Sequence, residues 1–178
     1  MKILAITFLM LLVTSLAFAQ QDNQPDLQRS EMKKLEMMAG KWEGTGWIQR
    51  GANAKQAFQG SETVQKKLDG LALLVEGKFT DKDKPEMVVH QTLAVLSFDI
   101  REKGYKFKTY LLNGGGGTQN VKLIDGGWEW GFEIPNGGGT VKYTIKMTPD
   151  TWYEIGEYSK DGKTWVKNFE MTLKKVGQ

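Results

Sequence analysis

The sequence contains no cysteine and a single histidine, His90. Without cysteine there is no disulfide, no thiol nucleophile, no Cys-x-x-Cys metal site and no lipid-modified N-terminal cysteine. One histidine excludes a histidine-rich metal site, and it would have to serve any catalytic triad, for which there is also no Gly-x-Ser-x-Gly motif. The sequence therefore predicts no catalytic residue, no metal ligand and no cofactor.

Charge of one sign is also scarce. The 24 Lys and Arg residues nearly balance the 21 Asp and Glu residues, which leaves a net charge of +3. These charges are dispersed along the chain, whereas nucleic-acid binders concentrate basic residues in a stripe or patch. We therefore expect no nucleic-acid partner.

A long apolar run occurs only at the N-terminus. Lys2 precedes the run Ile3–Leu16, and Ala17-Phe18-Ala19 follows it with the small-x-small pattern that signal peptidase reads. The alternative, a membrane-spanning helix, would need about 20 apolar residues and a basic flank. Residues 1–19 are therefore predicted to be a signal peptide, with an exported mature chain, periplasmic or secreted, that has no transmembrane segment.

The next segment is polar. Residues 20–30 contain Pro25 and have no apolar period, so we predict a flexible lead-in there. Ser30 is a suitable N-cap for a short helix that ends at Gly40, and residues 31–178 form the predicted barrel domain. The helix carries apolar residues at helical spacing: Met32, Leu35 and Met38.

From Lys41 onward, short segments of alternating polarity recur about every ten residues, separated by Gly, Asn and Asp clusters. This spacing is typical of an antiparallel sandwich or barrel, and no helix long enough for a parallel crossover intervenes. The sequence thus predicts an all-β fold of about ten strands. The predicted strands cover residues 41–50, 56–68, 71–80, 87–99, 105–112, 118–124, 128–134, 140–148, 151–159 and 164–176.

Most of these strands have one apolar face and one polar face. Trp128 and Trp130 alternate with Glu129, and Trp165 alternates in phase with Phe169. Such strands suit an up-and-down barrel whose outer face meets water and whose ten strands enclose a lumen. Two segments stay ambiguous. Residues 88–98 are apolar on both faces, which suggests that a helix or partner covers part of their outer face, and the adjacent pair Trp152 and Tyr153 leaves the ninth strand unassigned.

A short helix followed by Gly40-Lys41-Trp42 resembles the Gly-x-Trp signature of lipocalins and other calycin barrels. The segments Leu35–Trp47, Ser61–Val64 and Glu154–Met171 together look like the exported bacterial family called domain of unknown function number 1579. This resemblance implies a barrel of lipocalin or fatty-acid-binding-protein type, with Trp42 packed across its closed end. It implies no activity.

The inward aromatic residues are the candidate site. An apolar lumen with a few polar groups suits a small apolar or amphipathic ligand. Glu154 shares a strand face with Trp152 and Tyr158, so it is the best candidate for an inward acid that orients the ligand. The predicted ligand-binding residues are Trp128, Trp130, Phe132, Tyr143, Glu154 and Phe169.

Three alternatives remain open, and the oligomeric state is not predicted. An envelope enzyme could use two inward carboxylates on a carbohydrate or lipid product. A barrel filled by its own side chains could be a structural or partner-binding module, which a lumen well below ~300 Å³ would favour. His90 could bind haem, as in the nitrobindin-like barrels that this architecture resembles, but those take their histidine from near the C-terminus. The carboxylates considered are Glu62, Glu76, Glu154, Glu157 and Glu170.

Overall fold

A computed structural model describes residues 24–178, so the predicted signal peptide 1–19 and the first residues of the lead-in lie outside the described residues. The described chain begins with helix α1 (Gln24–Lys33) and a 3-10 turn (Glu36–Met38). Ten strands follow: β1 Gly40–Ile48, β2 Gln56–Lys67, β3 Ala72–Asp81, β4 Val88–Asp99, β5 Gly104–Leu111, β6 Gly116–Ile124, β7 Gly127–Ile134, β8 Gly139–Met147, β9 Thr151–Ser159 and β10 Val166–Gly177.

The strands form a closed barrel. Each strand pairs antiparallel with the next one in sequence, and β10 pairs with β1 to complete the ring. In this register Gly44 of β1 lies opposite Leu173 of β10 on one side and Gly60 of β2 on the other. The predicted all-β, ten-stranded up-and-down barrel is confirmed.

The helix and the 3-10 turn lie at one end of the barrel, which we call the floor. Arg29 of α1 forms an ion pair with Asp69 in the β2–β3 turn at 3.0 Å. The Tyr105 hydroxyl, near the start of β5, donates a hydrogen bond to the Glu31 carboxylate at 2.7 Å. At the other end β1 and β5 finish and β4 begins, and we call this opposite end the mouth.

Helix α1 begins at Gln24, earlier than the predicted N-cap Ser30. Residues 24–30 are therefore helical, which corrects the prediction of a flexible lead-in there. Pro25 fits the first turn of a helix, where its missing N–H is no loss, and Asp26 is favourable beside the helix N-terminus. The helix has no apolar period over residues 24–30, because α1 buries one of its residues, Met32, on the floor.

The two ambiguous segments resolve into ordinary strands. Trp152 points inward and is buried, whereas the Tyr153 hydroxyl donates to Glu170 on the outer surface at 2.9 Å. In β4, Leu96 faces the core while Leu93 is 44% exposed. The expected cover over this outer position is thus absent from the part of the chain that the structure describes.

A β-bulge corrects one face assignment. The pairing of β10 with β9 shifts between Lys167 and Phe169, so the alternation is interrupted there. Phe169 faces the lumen, but Trp165 lies against Lys142 on the outside, with the Lys142 ammonium 4.8 Å from the ring centroid. The two residues do not share a face, as their spacing had predicted.

Candidate functional site

The lumen of the barrel holds a cavity of about 530 Å³ that opens at the mouth. Met38 lines the cavity at the floor end of the barrel. The Met38 carbonyl accepts a hydrogen bond from the Trp42 indole N–H, which holds the 3-10 turn in place. This volume falls within the range of roughly 300–1,000 Å³ that is typical of small-molecule sites. The barrel is therefore not filled by its own side chains.

All six residues that the sequence singled out line this cavity. Trp130 and Tyr143 are stacked with ring centroids 4.6 Å apart, and Phe169 meets Tyr143 edge-on at 5.6 Å. Phe132 lies at the mouth and is 38% exposed. The cavity-lining residues among the candidates are Trp128, Trp130, Phe132, Tyr143, Glu154 and Phe169.

Sequence reasoning missed the opposite wall. The Phe58 ring of β2 lies 5.3 Å from the Phe79 ring of β3 and stacks on the Phe169 ring at 5.6 Å, both measured between ring centroids. Aromatic side chains therefore line this wall of the cavity as well. The inward face of β2 also carries Gly60 and Glu62, so it does not look apolar. The available signal was the shared parity of Phe58, Glu62 and Val64 along one strand.

Two carboxyl groups lie in the deep half of the cavity. Glu62 and Glu154 are each only 8% exposed and both line the cavity. The Trp152 indole N–H donates to Glu154 Oε2 at 3.2 Å. Glu62 Oε2 is buried and has no hydrogen-bond partner among residues 24–178. A buried polar atom without a hydrogen-bond partner lowers the stability of the fold, and such atoms are rare in folded proteins.

Gly77 makes room for the Glu62 carboxyl. A Cβ atom at position 77 would lie 2.5 Å from Glu62 Oε1 and 2.7 Å from Oε2. Such distances are shorter than any ordinary contact, so a side chain on β3 would push the carboxyl out of its present place. The glycine therefore permits the Glu62 carboxyl to occupy this place.

Burial dominates the electrostatics of both acids. Removal from water raises the pKa of Glu62 to about 8, and the neighbouring Glu154 carboxyl contributes in the same direction. Burial raises the pKa of Glu154 to about 7, opposed by the hydrogen bond from Trp152. Burial, reinforced by Glu154, also raises the pKa of Tyr143 to about 12. Near neutral pH the two carboxyls therefore hold exchangeable protons.

The mouth has a different character. Arg50 donates to the Val89 carbonyl at 3.0 Å. His90 is an exposed residue whose ring is hydrogen-bonded to the Thr92 hydroxyl. Partial removal of the ring from water, and then the Arg50 charge, lower its pKa. Within residues 24–178 no three His, Asp or Glu side chains come together as a metal site would require. In the same range no helix combines the length and apolar character needed to cross a membrane.

A closed ten-stranded meander with a helix at its floor and an aromatic cavity open at the mouth has the architecture of a lipocalin-like barrel of the calycin type. Two solved structures share this fold over most of their length. Rv2717c from M. tuberculosis superposes with a TM-score of 0.61 at 9% sequence identity, covering 82% of this chain and 96% of its own. The S-type phycobiliprotein lyase CPES from Guillardia theta gives a TM-score of 0.54 at 12% identity, covering 82% and 92%.

At such low identities the likeness shows the fold alone. No family model matches the sequence, and no curated protein matches it either. The resemblance to domain of unknown function number 1579 is thus supported at the level of the calycin-type barrel, and membership of that family stays a prediction.

Proposed function

We propose that the protein is a binding protein that holds a small apolar or amphipathic molecule in its lumen. The observation that carries this proposal is the open cavity of about 530 Å³ with aromatic walls. Each Å² of apolar surface buried contributes about 25 cal/mol, and the loss of freedom on binding offsets part of that gain. We expect affinities on the order of micromolar for a ligand that fits.

The proposed mode of binding follows from the distribution of side chains. The apolar part of the ligand packs between Trp130, Tyr143 and Phe169, whose rings are already held by one another. A polar group on the ligand is oriented by Glu154, on the deep side of the cavity. Preorganised walls reduce the ordering cost of binding.

We also propose that the protein acts outside the cytoplasm, because residues 1–19 have the pattern of a signal peptide. Cell fractionation tests this proposal, combined with the intact mass of the recovered chain. A periplasmic or secreted chain that begins at Gln20 is the expected result. A full-length chain in the cytoplasm contradicts it.

Native mass spectrometry tests the binding function directly. We expect the chain 20–178, purified from its own source or incubated with a rich lysate, to carry an excess mass of about a few hundred daltons that denaturation removes. A bare protein mass in every preparation, and after incubation with total lipid extract, would contradict a carrier function.

The second candidate is an envelope enzyme, and one observation favours it: Glu62 and Glu154 face the same cavity with pKa values near neutral. General acid–base catalysis works best with such groups. Turnover of a glycoside or ester substrate that disappears in both Glu62→Gln and Glu154→Gln would support this candidate. If the protein only binds its ligand, neither the unaltered protein nor either variant will turn over the substrate.

A further inference from the structure

The deep half of the cavity is acidic. Glu62 and Glu154 line it. Arg50, the positively charged side chain in the cavity lining, lies at the mouth and donates a hydrogen bond to the Val89 carbonyl. A second inward cation, Lys175, lies over the Trp42 ring at 5.0 Å and does not line the cavity. The titratable groups that line the cavity are Arg50, Glu62, His90, Glu133, Tyr143 and Glu154. Among the described residues, no positive side chain reaches the two deep carboxyls.

We propose that the ligand carries a protonated amine, which binds between Glu62 and Glu154, and an apolar body that packs against the aromatic walls towards the mouth. This inference rests on the proposed binding function and names the chemical class of its ligand.

The unpaired Glu62 oxygen favours an amine. A protonated amine offers several N–H donors and accepts nothing, so it satisfies Glu62 Oε2 and the free acceptor positions of Glu154 at once. Such charge-assisted hydrogen bonds are stronger than neutral ones.

Other head groups fit less well. A carboxylate on the ligand would meet two acids of its own kind, and it would bind only while these acids keep their protons. A hydroxyl could bind the protonated acids but would form no charge-assisted hydrogen bond with them. An amine instead favours the ionised carboxyls and displaces their protons on binding.

This displacement gives the proposal a signature in pH. Burial raises the pKa of Glu62 to about 8 and that of Glu154 to about 7. An amine must therefore release protons at neutral pH, so its affinity rises as the pH rises through this range. The affinity of a carboxylic acid falls over the same range, because its carboxylate needs the protonated carboxyls. The affinity of an alcohol, which can donate to a carboxylate or accept from a protonated acid, does not rise as that of the amine does.

The experiment is isothermal titration with decylamine, decanol and decanoic acid, which share one chain length and differ in the head group. We expect decylamine to bind at least about tenfold more tightly than the other two and to gain at least about tenfold between about pH 6 and about pH 8.5. Its binding heat should depend on the ionisation enthalpy of the buffer, because protons are released.

Matched variants locate the amine. Glu62→Gln and Glu154→Gln keep the side-chain size and should each weaken decylamine binding by about tenfold or more, with decanol changed by less than about threefold. Glu76→Gln, on the exposed outer face of the neighbouring strand, should change neither. If a cavity variant does not fold, the head-group and pH series on the unaltered protein still decides the matter.

Two results overturn the inference, and they are distinguishable. If decanol or decanoic acid binds as tightly as decylamine and loses affinity as the pH rises, the acids act as neutral donors; the amine proposal fails and the binding function stands. If none of the three binds and native mass spectra show only bare protein, the proposed function fails as well.

Discussion

The indole N–H of Trp42 donates a hydrogen bond to the backbone carbonyl of Met38 at 2.8 Å, and both side chains are completely buried. Trp42 also meets Trp152 edge-on, with 5.9 Å between ring centroids. These contacts tie the 3-10 turn to β1 and β9 in one place. The floor of the barrel is therefore a single packed unit centred on one side chain.

Replacing Trp42 should destabilise the whole barrel. Trp42→Phe keeps an aromatic ring but leaves the Met38 carbonyl unpaired, so we expect the free energy of unfolding to fall by about 2 kcal/mol. Trp42→Ala should cost about 3–5 kcal/mol because it also opens a void. Urea denaturation followed by circular dichroism measures both. Trp47→Phe is the control, since Trp47 lies outside under Lys55; equal losses at positions 42 and 47 would refute the argument.

Stability should fall as the pH rises above the ordinary range of a carboxyl. The pKa of Glu62 is about 8 in the folded protein against 4.5 for a free glutamate, so between these values the folded state holds a proton that the unfolded state has lost. The contribution is complete below about pH 4.5 and is lost progressively up to about pH 8, at about 1.4 kcal/mol per pH unit for one proton. Glu154 acts in the same direction up to about pH 7.

Glu62→Gln should therefore flatten the pH dependence and make the protein more stable than the original at about pH 8.5, because no buried charge has to form. Thermal unfolding at a series of pH values measures this. Glu76→Gln should keep the original slope. A Glu62→Gln variant with an unchanged slope would mean that the Glu62 carboxyl is hydrated in the folded state.

Trp130 and Trp165, which the alternation of polarity assigned to the apolar faces of their strands, should behave differently. Trp130→Ala removes a wall of the cavity, so we expect the affinity for decylamine or any other bound ligand to fall by about tenfold. Trp165→Ala alters the outer surface beside Lys142 and should leave the affinity unchanged. Titration of both variants decides this, and a loss of affinity in Trp165→Ala would contradict the position of the β10 bulge.

Much of the architecture was predictable because local chemistry repeats along the chain. Turn residues at regular spacing and strict alternation in β7 and β8 determine both the strand count and the inward face, and all six candidate residues line the cavity. Closure between β1 and β10 followed from the resemblance to calycin barrels, since these strands are far apart in sequence.

The remaining features depend on contacts that a one-dimensional pattern does not contain. Glu62 looked like one of several scattered acids. Its parity with Phe58 indicates the face on which it lies, but only the structure shows that its carboxyl is buried inside the barrel, opposite Gly77. Trp165 changed sides because a single bulged residue shifts the alternation. Helix α1 begins before the predicted N-cap Ser30, because its stability comes from docking on the barrel and not from an apolar period of its own.

The docking of α1 should rest on packing rather than on charge. Met32 is 2% exposed, and we expect Met32→Ala to lower the free energy of unfolding by about 2–4 kcal/mol. Arg29 pairs with Asp69 in an exposed position, so Arg29→Ala should cost less than about 1 kcal/mol. Chemical denaturation measures the free energy of unfolding of both variants. A larger loss in Arg29→Ala than in Met32→Ala would mean that charge, and not packing, holds α1 on the barrel.

The pairing of Lys41 with Gly177 places the start of β1 beside the end of β10, on the same side as α1. Both ends of the described chain therefore leave the barrel at the floor, and the mouth is at the opposite pole. A molecule attached to a surface through either of these ends would have its floor next to that surface and its mouth directed away from it. The protein can thus be immobilised through either end of the described chain without obstructing the mouth of the cavity.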